Sequence, residues 1–398
     1  KKFNKFLSVA VASAMVMSMA GCGNTDNGSA ATGTNAATES AASGSVFKIG
    51  GIGPTTGGAA VYGLAVQHGA EIAVEEINAA GGINGYQIEF KFQDDEADAE
   101  KSVNAYNALK DWGAQIIDGS TTSGACIAVT DKTKEDNMFQ ITPSGSAVEC
   151  VQYDNNFRVC FSNPNQGLAS AQYIGENGLA EKIAVIYDSS DVYSSGIYEK
   201  FAKEAENQPF EIVAAEAFTA DNKTDFSVQL QKAKDAGADM VFLPIYYQES
   251  ALILTQAAAM GYAPKWFSCD GMDGILGGVD NFDVSLTEGV MLLTPFAADA
   301  TDDLTQSFVT KYKEKYGETP NQFAADSYDA IYVIKAAIEK SGVTPDMSVS
   351  DICDGMKAAM TEITVDGLTG NGMTWTADGE ANKAPKAVVI ENGAYKAM

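Results

Sequence analysis

Residues 47–53 read Phe-Lys-Ile-Gly-Gly-Ile-Gly, and Pro54-Thr-Thr-Gly57 leads from them into a helical run, Ala59 to Ala80. That run stops at Gly81-Gly82, a C-terminal signal. Tyr86 to Phe92 then alternates like a strand. A buried strand, a helix and a second strand make one βα unit with its successor, and the pattern repeats. Asp98 to Trp112 reads as helix, Gln115 to Asp118 as strand, Ser123 to Asp136 as helix and Met138 to Ile141 as extended. A second series follows. Its strands are Lys182–Tyr187, Glu211–Phe218, Met240–Leu243 and Lys265–Ser268, and its helices are Tyr193–Asn207, Asp225–Ala236 and Glu249–Met260. Repeated βα units imply parallel sheets covered by helices, and two series imply two α/β lobes. Ligands of such sheets bind beyond the C-terminal strand ends, beside helix N-termini.

The ends of the chain differ from this middle. Lys1, Lys2 and Lys5 form a cationic head, Phe6 to Ala20 an apolar run, and Met19-Ala-Gly-Cys22 a small-residue approach to a cysteine. The apolar run is shorter than the ~20 residues that span a bilayer. Residues 1–21 are therefore expected to be a signal peptide, of the lipoprotein kind, with Cys22 lipidated. Residues 22–45 are almost all small and polar and cannot build a core, so a flexible tether of about 25–30 Å is expected. Beyond Leu293 the pattern turns to long helices, about Leu304–Tyr316 and Gln322–Lys340, then a shorter one at Ser350–Met360. A β-rich piece from Met373 to Lys396 closes the chain.

The formal net charge of the 398 residues is −27. Without the basic leader it is about −30, which repels nucleic acid and anionic lipid. Arg158 is the only arginine and His68 the only histidine. The usual arginine clamp on a carboxylate or phosphate is thus nearly unavailable. Cys22 aside, five cysteines remain, so at least one is unpaired. Cys150 and Cys160 flank a turn-like Tyr153-Asp-Asn-Asn156, where a disulfide would constrain the unfolded chain by about 2–3 kcal/mol. No cysteine pair has C-x-x-C spacing, so no metal is expected.

Gly51-Ile-Gly-Pro-Thr-Thr-Gly57 is not a dinucleotide fingerprint, because Thr56 stands where the third glycine would fall and Pro54 interrupts it. There is no phosphate loop and no G-x-S-x-G elbow. His68 falls mid-helix, and Asp94-Asp95-Glu96 reads as a helix-capping loop. More suggestive are three strand ends that carry short polar residues: Gly119-Ser-Thr-Thr-Ser-Gly124, Thr142-Pro-Ser-Gly-Ser146 and Cys269-Asp-Gly271. Hydroxyls and free N–H groups at helix starts suit a carboxylate, and Asp270 suits an ammonium. Read singly, each is a cap or turn. Read together, they describe a site for a zwitterion.

The residues Lys48-Ile-Gly-Gly-Ile-Gly-Pro-Thr-Thr-Gly57, Tyr62-Gly63, Gly69-Ala70 and Ile77-Asn-Ala-Ala-Gly-Gly-Ile-Asn-Gly85 resemble the start of the leucine/isoleucine/valine-binding proteins. Asp94-Asp95, Ile141-Thr-Pro143, Phe226-Ser227 and Phe323-Ala-Ala-Asp-Ser-Tyr-Asp-Ala330 extend the likeness over nearly all of the chain beyond Val46. The resemblance implies a type I periplasmic-binding-protein fold, with two doubly wound parallel-sheet lobes joined by three crossovers. One lobe would hold residues 46–162 and 296–372, the other 163–295 and 373–398. By position, Ser123 and Ser146 would hold a ligand carboxylate, the Ser144 carbonyl would accept from its ammonium, and Asp270 would pair with that ammonium. Tyr193 and Tyr246 match aromatic residues on the second lobe's face of the cleft, and Tyr62 and Phe323 border the side-chain pocket; Thr121 and Thr122 are close by. A disulfide of familiar members would need cysteines near Ala97 and Thr122, and neither is Cys.

The function implied is an extracytoplasmic, lipid-anchored, monomeric receptor that captures an amino acid, branched-chain or aliphatic. It would deliver its ligand to the permease subunits of an ABC importer, without cofactor or catalysis. Receptors for other amides or carboxylic ligands and sensory receptors share the same binding physics. An exported hydrolase would need a base and a nucleophile, and His68 and Cys126 lack sequence partners for those roles.

Overall fold

The computed structural model describes residues 44–398. The leader 1–21, Cys22 and most of the tether 22–45 lie outside the described residues. The first sheet comprises β1 (Val46–Gly53), β2 (Gln87–Asp94), β3 (Ile116–Asp118), β4 (Phe139–Thr142) and β5 (Asn156–Arg158), in the order β2-β1-β3-β4-β5. All its pairings are parallel. Helices α1 (Ala60–Ala79), α2 (Ala99–Trp112) and α3 (Ser123–Asp136) link its first four strands.

The second sheet holds β6 (Lys182–Asp188), β7 (Glu211–Phe218), β8 (Met240–Leu243), β9 (Lys265–Ser268), β10 (Met291–Thr294), β11 (Lys386–Glu391) and β12 (Ala394–Ala397). Their order is β12-β11-β10-β9-β8-β6-β7. β6 to β10 run parallel, and β11 and β12 are added antiparallel at the edge. Its helices are α4 (Asn163–Glu176), α5 (Val192–Ala205), α6 (Ser227–Asp235) and α7 (Tyr247–Ala259). α8 (Asp303–Tyr316), α9 (Gln322–Ser341) and α10 (Val349–Met360) return to the first sheet, where α9 lies along α1 and against β3 and β4. A Cβ on Gly69 of α1 would collide with the Ala324 carbonyl of α9, so glycine there is what lets the two helices approach.

The central strands are buried on both faces, as a parallel sheet between helices requires. Phe139, Ile141, Ile183, Val185, Val241 and Leu243 are fully enclosed, each worth about 1.5–3 kcal/mol of transfer free energy. The chain passes between the sheets three times: from β5 to α4, from β10 to α8, and on the way to β11. That last passage comes later than Met373, where the sequence placed it. Arg158 N–H donates to the Gly379 carbonyl and the Trp375 indole N–H to the Arg158 carbonyl, so residues 375–379 still lie against the first sheet.

Two further features differ from the sequence reading. α4 is a full helix, capped by Ser162 with Pro164 in its first turn. The disulfide expected between Cys150 and Cys160 is not formed, and both are free and buried. Cys150 sits in a 3-10 turn over Val148–Val151 that turns its Sγ toward α3, donating to the Ser123 carbonyl at 3.7 Å. Cys160 follows β5 and donates to the Gly145 carbonyl at 3.6 Å. The turn between them thus aims the two thiols at different partners.

Candidate functional site

At the C-terminal ends of β3, β4 and β9, where the two sheets face each other, is a cavity of about 20 Å³. It is lined by Tyr62, Thr121, Thr122, Ser123, Ser144, Tyr193, Tyr246, Asp270, Gly271 and Phe323. Seven of the eight ligand positions named from the sequence therefore meet here, each from a separate part of the chain. Ser146 does not reach the surface of the cavity. It lies behind Ser123, and its backbone N–H donates to Ser123 Oγ at 3.1 Å, as does that of Ala147.

The wall from the first sheet is electropositive. α3 begins at Ser123, and its first intrahelical bond is Cys126 N–H to the Thr122 carbonyl at 2.8 Å. The N–H groups before that bond have no partner within the helix, and the helix dipole adds to their pull on an anion. Thr122 Oγ1 is buried here without a hydrogen-bond partner among the described residues. The loop after β4 is held in shape by its own hydroxyls. Thr142 Oγ1 accepts from Gly145 N–H and donates to the Ser120 carbonyl, both at 2.7 Å, and Ser144 Oγ donates to the Thr121 carbonyl at 2.6 Å.

Arg158 lies beneath this loop, wholly buried. It donates to the carbonyls of Gly145 at 3.2 Å and Ala147 at 2.9 Å, and pairs with Glu380 at 3.3 Å. The sole arginine thus braces the loop from behind and does not line the cavity.

The wall from the second sheet is acidic and aromatic. Asp270 is 4% exposed. Its Oδ1 accepts from the Tyr193 hydroxyl at 2.6 Å and its Oδ2 from Gln166 Nε2 at 2.9 Å. Neither donor is charged, and burial pushes the carboxyl up to about 7, with Asp326 adding to the rise. Tyr62 packs on Phe323 at 4.4 Å between ring centres and edge-on to Tyr246 at 5.4 Å, while Tyr193 stacks on Tyr246 at 5.1 Å. The cavity therefore offers donors at one end, an unneutralised carboxyl at the other and rings around the middle.

Sequence reasoning missed Gln166 and Gln322. Gln166 belongs to the unread α4. Gln322 Nε2 donates to the Asp270 carbonyl at 3.0 Å from the first turn of α9. Ser162-Asn163-Pro164, a cap followed by a first-turn proline, was the signal for α4. Nothing local signals Gln322. His68 is half-buried and stacks on Tyr316 at 3.6 Å, away from the cavity. Asp94 ties β2 to the loop after β1, accepting from Thr55 N–H and Thr56 Oγ1, and the cap of α2 is Asp98.

A family model described as periplasmic binding protein matches residues 46–394. The chain belongs to the periplasmic binding protein family. Among curated relatives, Leu/Ile/Val-binding protein homolog 3 of Brucella melitensis is 30% identical over 300 residues, covering 75% of this chain and 80% of its own. The leucine-, isoleucine-, valine-, threonine-, and alanine-binding protein of Pseudomonas aeruginosa is 30% identical over 303 residues, covering 74% and 79%. Of solved structures, the branched-chain amino acid transporter substrate binding protein LivJ of Streptococcus pneumoniae, in complex with isoleucine, superposes with a TM-score of 0.80. It is 29% identical and covers 88% of this chain and 98% of its own. A leucine binding protein LivK of Thermotoga maritima gives 0.77 at 27% identity, covering 89% and 98%. The architecture is thus the type I periplasmic-binding fold, two α/β lobes joined by three crossovers.

Proposed function

We propose that this protein is an extracytoplasmic receptor that closes its two lobes over an amino acid with an aliphatic side chain and hands it to an ABC importer. The observation that carries the reading is the pairing of walls in the interlobe cavity. The start of α3, with Thr122 Oγ1, faces in from one lobe, and the uncompensated carboxyl of Asp270 faces in from the other. A zwitterion satisfies both at once. Its carboxylate takes the N–H and hydroxyl donors around Ser123, and its ammonium neutralises a carboxylate whose burial without a partner is costly. The ring cluster of Tyr62, Tyr246 and Phe323 receives the apolar side chain.

The isoleucine complex of the pneumococcal protein and the names of the curated relatives support the ligand class. A cavity of about 20 Å³ holds roughly one water-sized sphere, so an amino acid enters only when the lobes part about their crossovers. The leader and Met19-Ala-Gly-Cys22 support anchoring through a lipid on Cys22. Loss of labelling by a radioactive fatty acid in Cys22→Ala tests that anchor.

The test of function is thermal unfolding against the twenty amino acids, after unfolding and refolding to release retained ligand. A ligand at about 100 times its Kd adds ~2.7 kcal/mol of stability. A raised Tm with leucine, isoleucine or valine is expected. No shift with any amino acid overturns the zwitterion site.

A further inference from the structure

A second cavity, of about 940 Å³, opens beside α1, where Val61, Leu64 and Ala65 line it. Val61 and Leu64 of α1 form one wall, and Tyr312 of α8 and Ala298 of the β10–α8 crossover continue it. Tyr395 of the β11–β12 hairpin and the segment after β9, beginning at Asp273, close the opposite side. The volume lies in the range of small-molecule sites, and its walls mix apolar and aromatic side chains (Val61, Leu64, Leu276, Val309, Tyr312, Tyr395) with polar and charged ones.

The charges that face this space are unbalanced. Asp273, Asp299 and Glu318 line it, against Lys313 as the single basic residue of the wall. Asp273 is the informative one. It is 4% exposed; its Oδ2 accepts from Gln322 N–H at 2.9 Å, and its buried Oδ1 has no hydrogen-bond partner. Burial pushes its carboxyl up. A buried carboxylate oxygen left without a donor costs of the order of a lost charged hydrogen bond. The Tyr395 hydroxyl, which accepts from Gly274 N–H at 3.3 Å, is a neighbouring donor that acts on this carboxyl, yet among the described residues none makes a hydrogen bond to Oδ1, while the adjoining space has room for a molecule that can.

We propose that this cavity is a second binding site, separate from the interlobe amino-acid site, for a small organic ammonium with an apolar or aromatic body. Its ammonium donates to Asp273 Oδ1, and its body packs on Val61, Leu64 and Tyr312. A carboxylate-bearing analogue of the same body is disfavoured by the acidic lining.

The experiment is calorimetric titration of the purified protein with 2-phenylethylamine, and with phenylacetate as the oppositely charged control. Saturable one-site binding of the amine, and none of the acid, is expected. The amine's affinity is expected to fall at least tenfold in Asp273→Asn and in Ala298→Trp, which fills the space from the crossover, and to persist in Asp270→Asn. Should Asp273→Asn not fold, Ala298→Trp alone decides. Absence of saturable amine binding, equal binding of phenylacetate, or affinity lost in Asp270→Asn but kept in Ala298→Trp overturns the proposal. The last outcome places the amine in the interlobe cavity and leaves the amino-acid reading intact.

Discussion

With the ammonium role proposed for it, Asp270 is expected to give the receptor a defined pH response. Burial, against only neutral donors from Tyr193 and Gln166, holds its carboxyl at about 7 when the cavity has no cation. In the proposed role a ligand ammonium binds the ionised form, so the carboxyl's pKa is expected to be lower in the complex than in the free protein. Affinity is therefore expected to reach its plateau about one pH unit above 7 and to fall as pH drops through 7, because the ligand must first displace a proton. The apparent Kd rises by about tenfold per pH unit below the free-protein pKa, or ~100-fold at pH 5 relative to the alkaline plateau.

Asp270→Asn keeps the shape and removes the charge. At pH 8 it is expected to weaken binding by about 30-fold or more, the cost of breaking a buried charge pair. At pH 5 the wild-type group is protonated, and the gap between the two proteins closes to a few-fold. Isothermal titration with leucine from pH 5 to 8 reads both curves. Asp118 is also raised to about 7, and Asp326 and Asp191 to about 6, so the slope left in the variant measures their contribution. A flat wild-type curve, or the same slope in both proteins, refutes the ammonium role of Asp270.

Other expectations follow from the same geometry. Ser123→Ala removes the hydroxyl that gathers the N–H groups of Ser146 and Ala147, and leucine affinity is expected to fall about 10–100-fold by calorimetry. Arg158→Met leaves the carbonyls of Gly145 and Ala147 without their donors and is expected to cost ~2–4 kcal/mol in urea unfolding. Asp326→Asn removes the carboxylate 2.8 Å from Lys383, whose side chain is 1% exposed, and leaves that ammonium Thr369 and the charge of Asp329, so it is expected to cost about 1.5–3 kcal/mol in the same assay. Cys126, Cys150, Cys160, Cys269 and Cys353 are expected to be inert to an aromatic disulfide reagent in the native protein. All five are expected to react in denaturant without prior reduction.

The sequence carried the repeated βα units because each strand is an apolar run between punctuated helices. α1, closed by Gly81-Gly82, and α3 were read to within a residue. α4 escaped because Pro164 and Gly167 look like breakers, although the proline occupies the first turn, where its missing N–H costs nothing. The polar strand ends around Ser123, Ser144 and Asp270 were legible because a parallel sheet delivers its C-terminal ends to one place. What each hydroxyl does there was not. Ser146 lies one layer too deep, and the donors to Asp270 come from Gln166 and Tyr193, 104 and 77 residues away in the chain. The cysteine spacing misled because a disulfide depends on where the thiols point, and the 3-10 turn points Cys150 at α3.

Tyr62 and Gln322 reach from one lobe to the other using groups of the protein alone. The Tyr62 hydroxyl donates to the Gly271 carbonyl and accepts from Tyr247 N–H at 3.2 Å, while Gln322 grips the Asp270 carbonyl and Asp273. At about 0.5–1.5 kcal/mol each, these four bonds give the shut form a standing population that owes nothing to cargo. They act as a preload. Loosening them makes every capture event first recruit a rarer conformer and lowers apparent affinity by that fraction, while tightening them shows an importer more shut but empty receptors. The setting of that preload, remote from any atom of the ligand, fixes how sharply a transporter could tell a loaded receptor from an idle one.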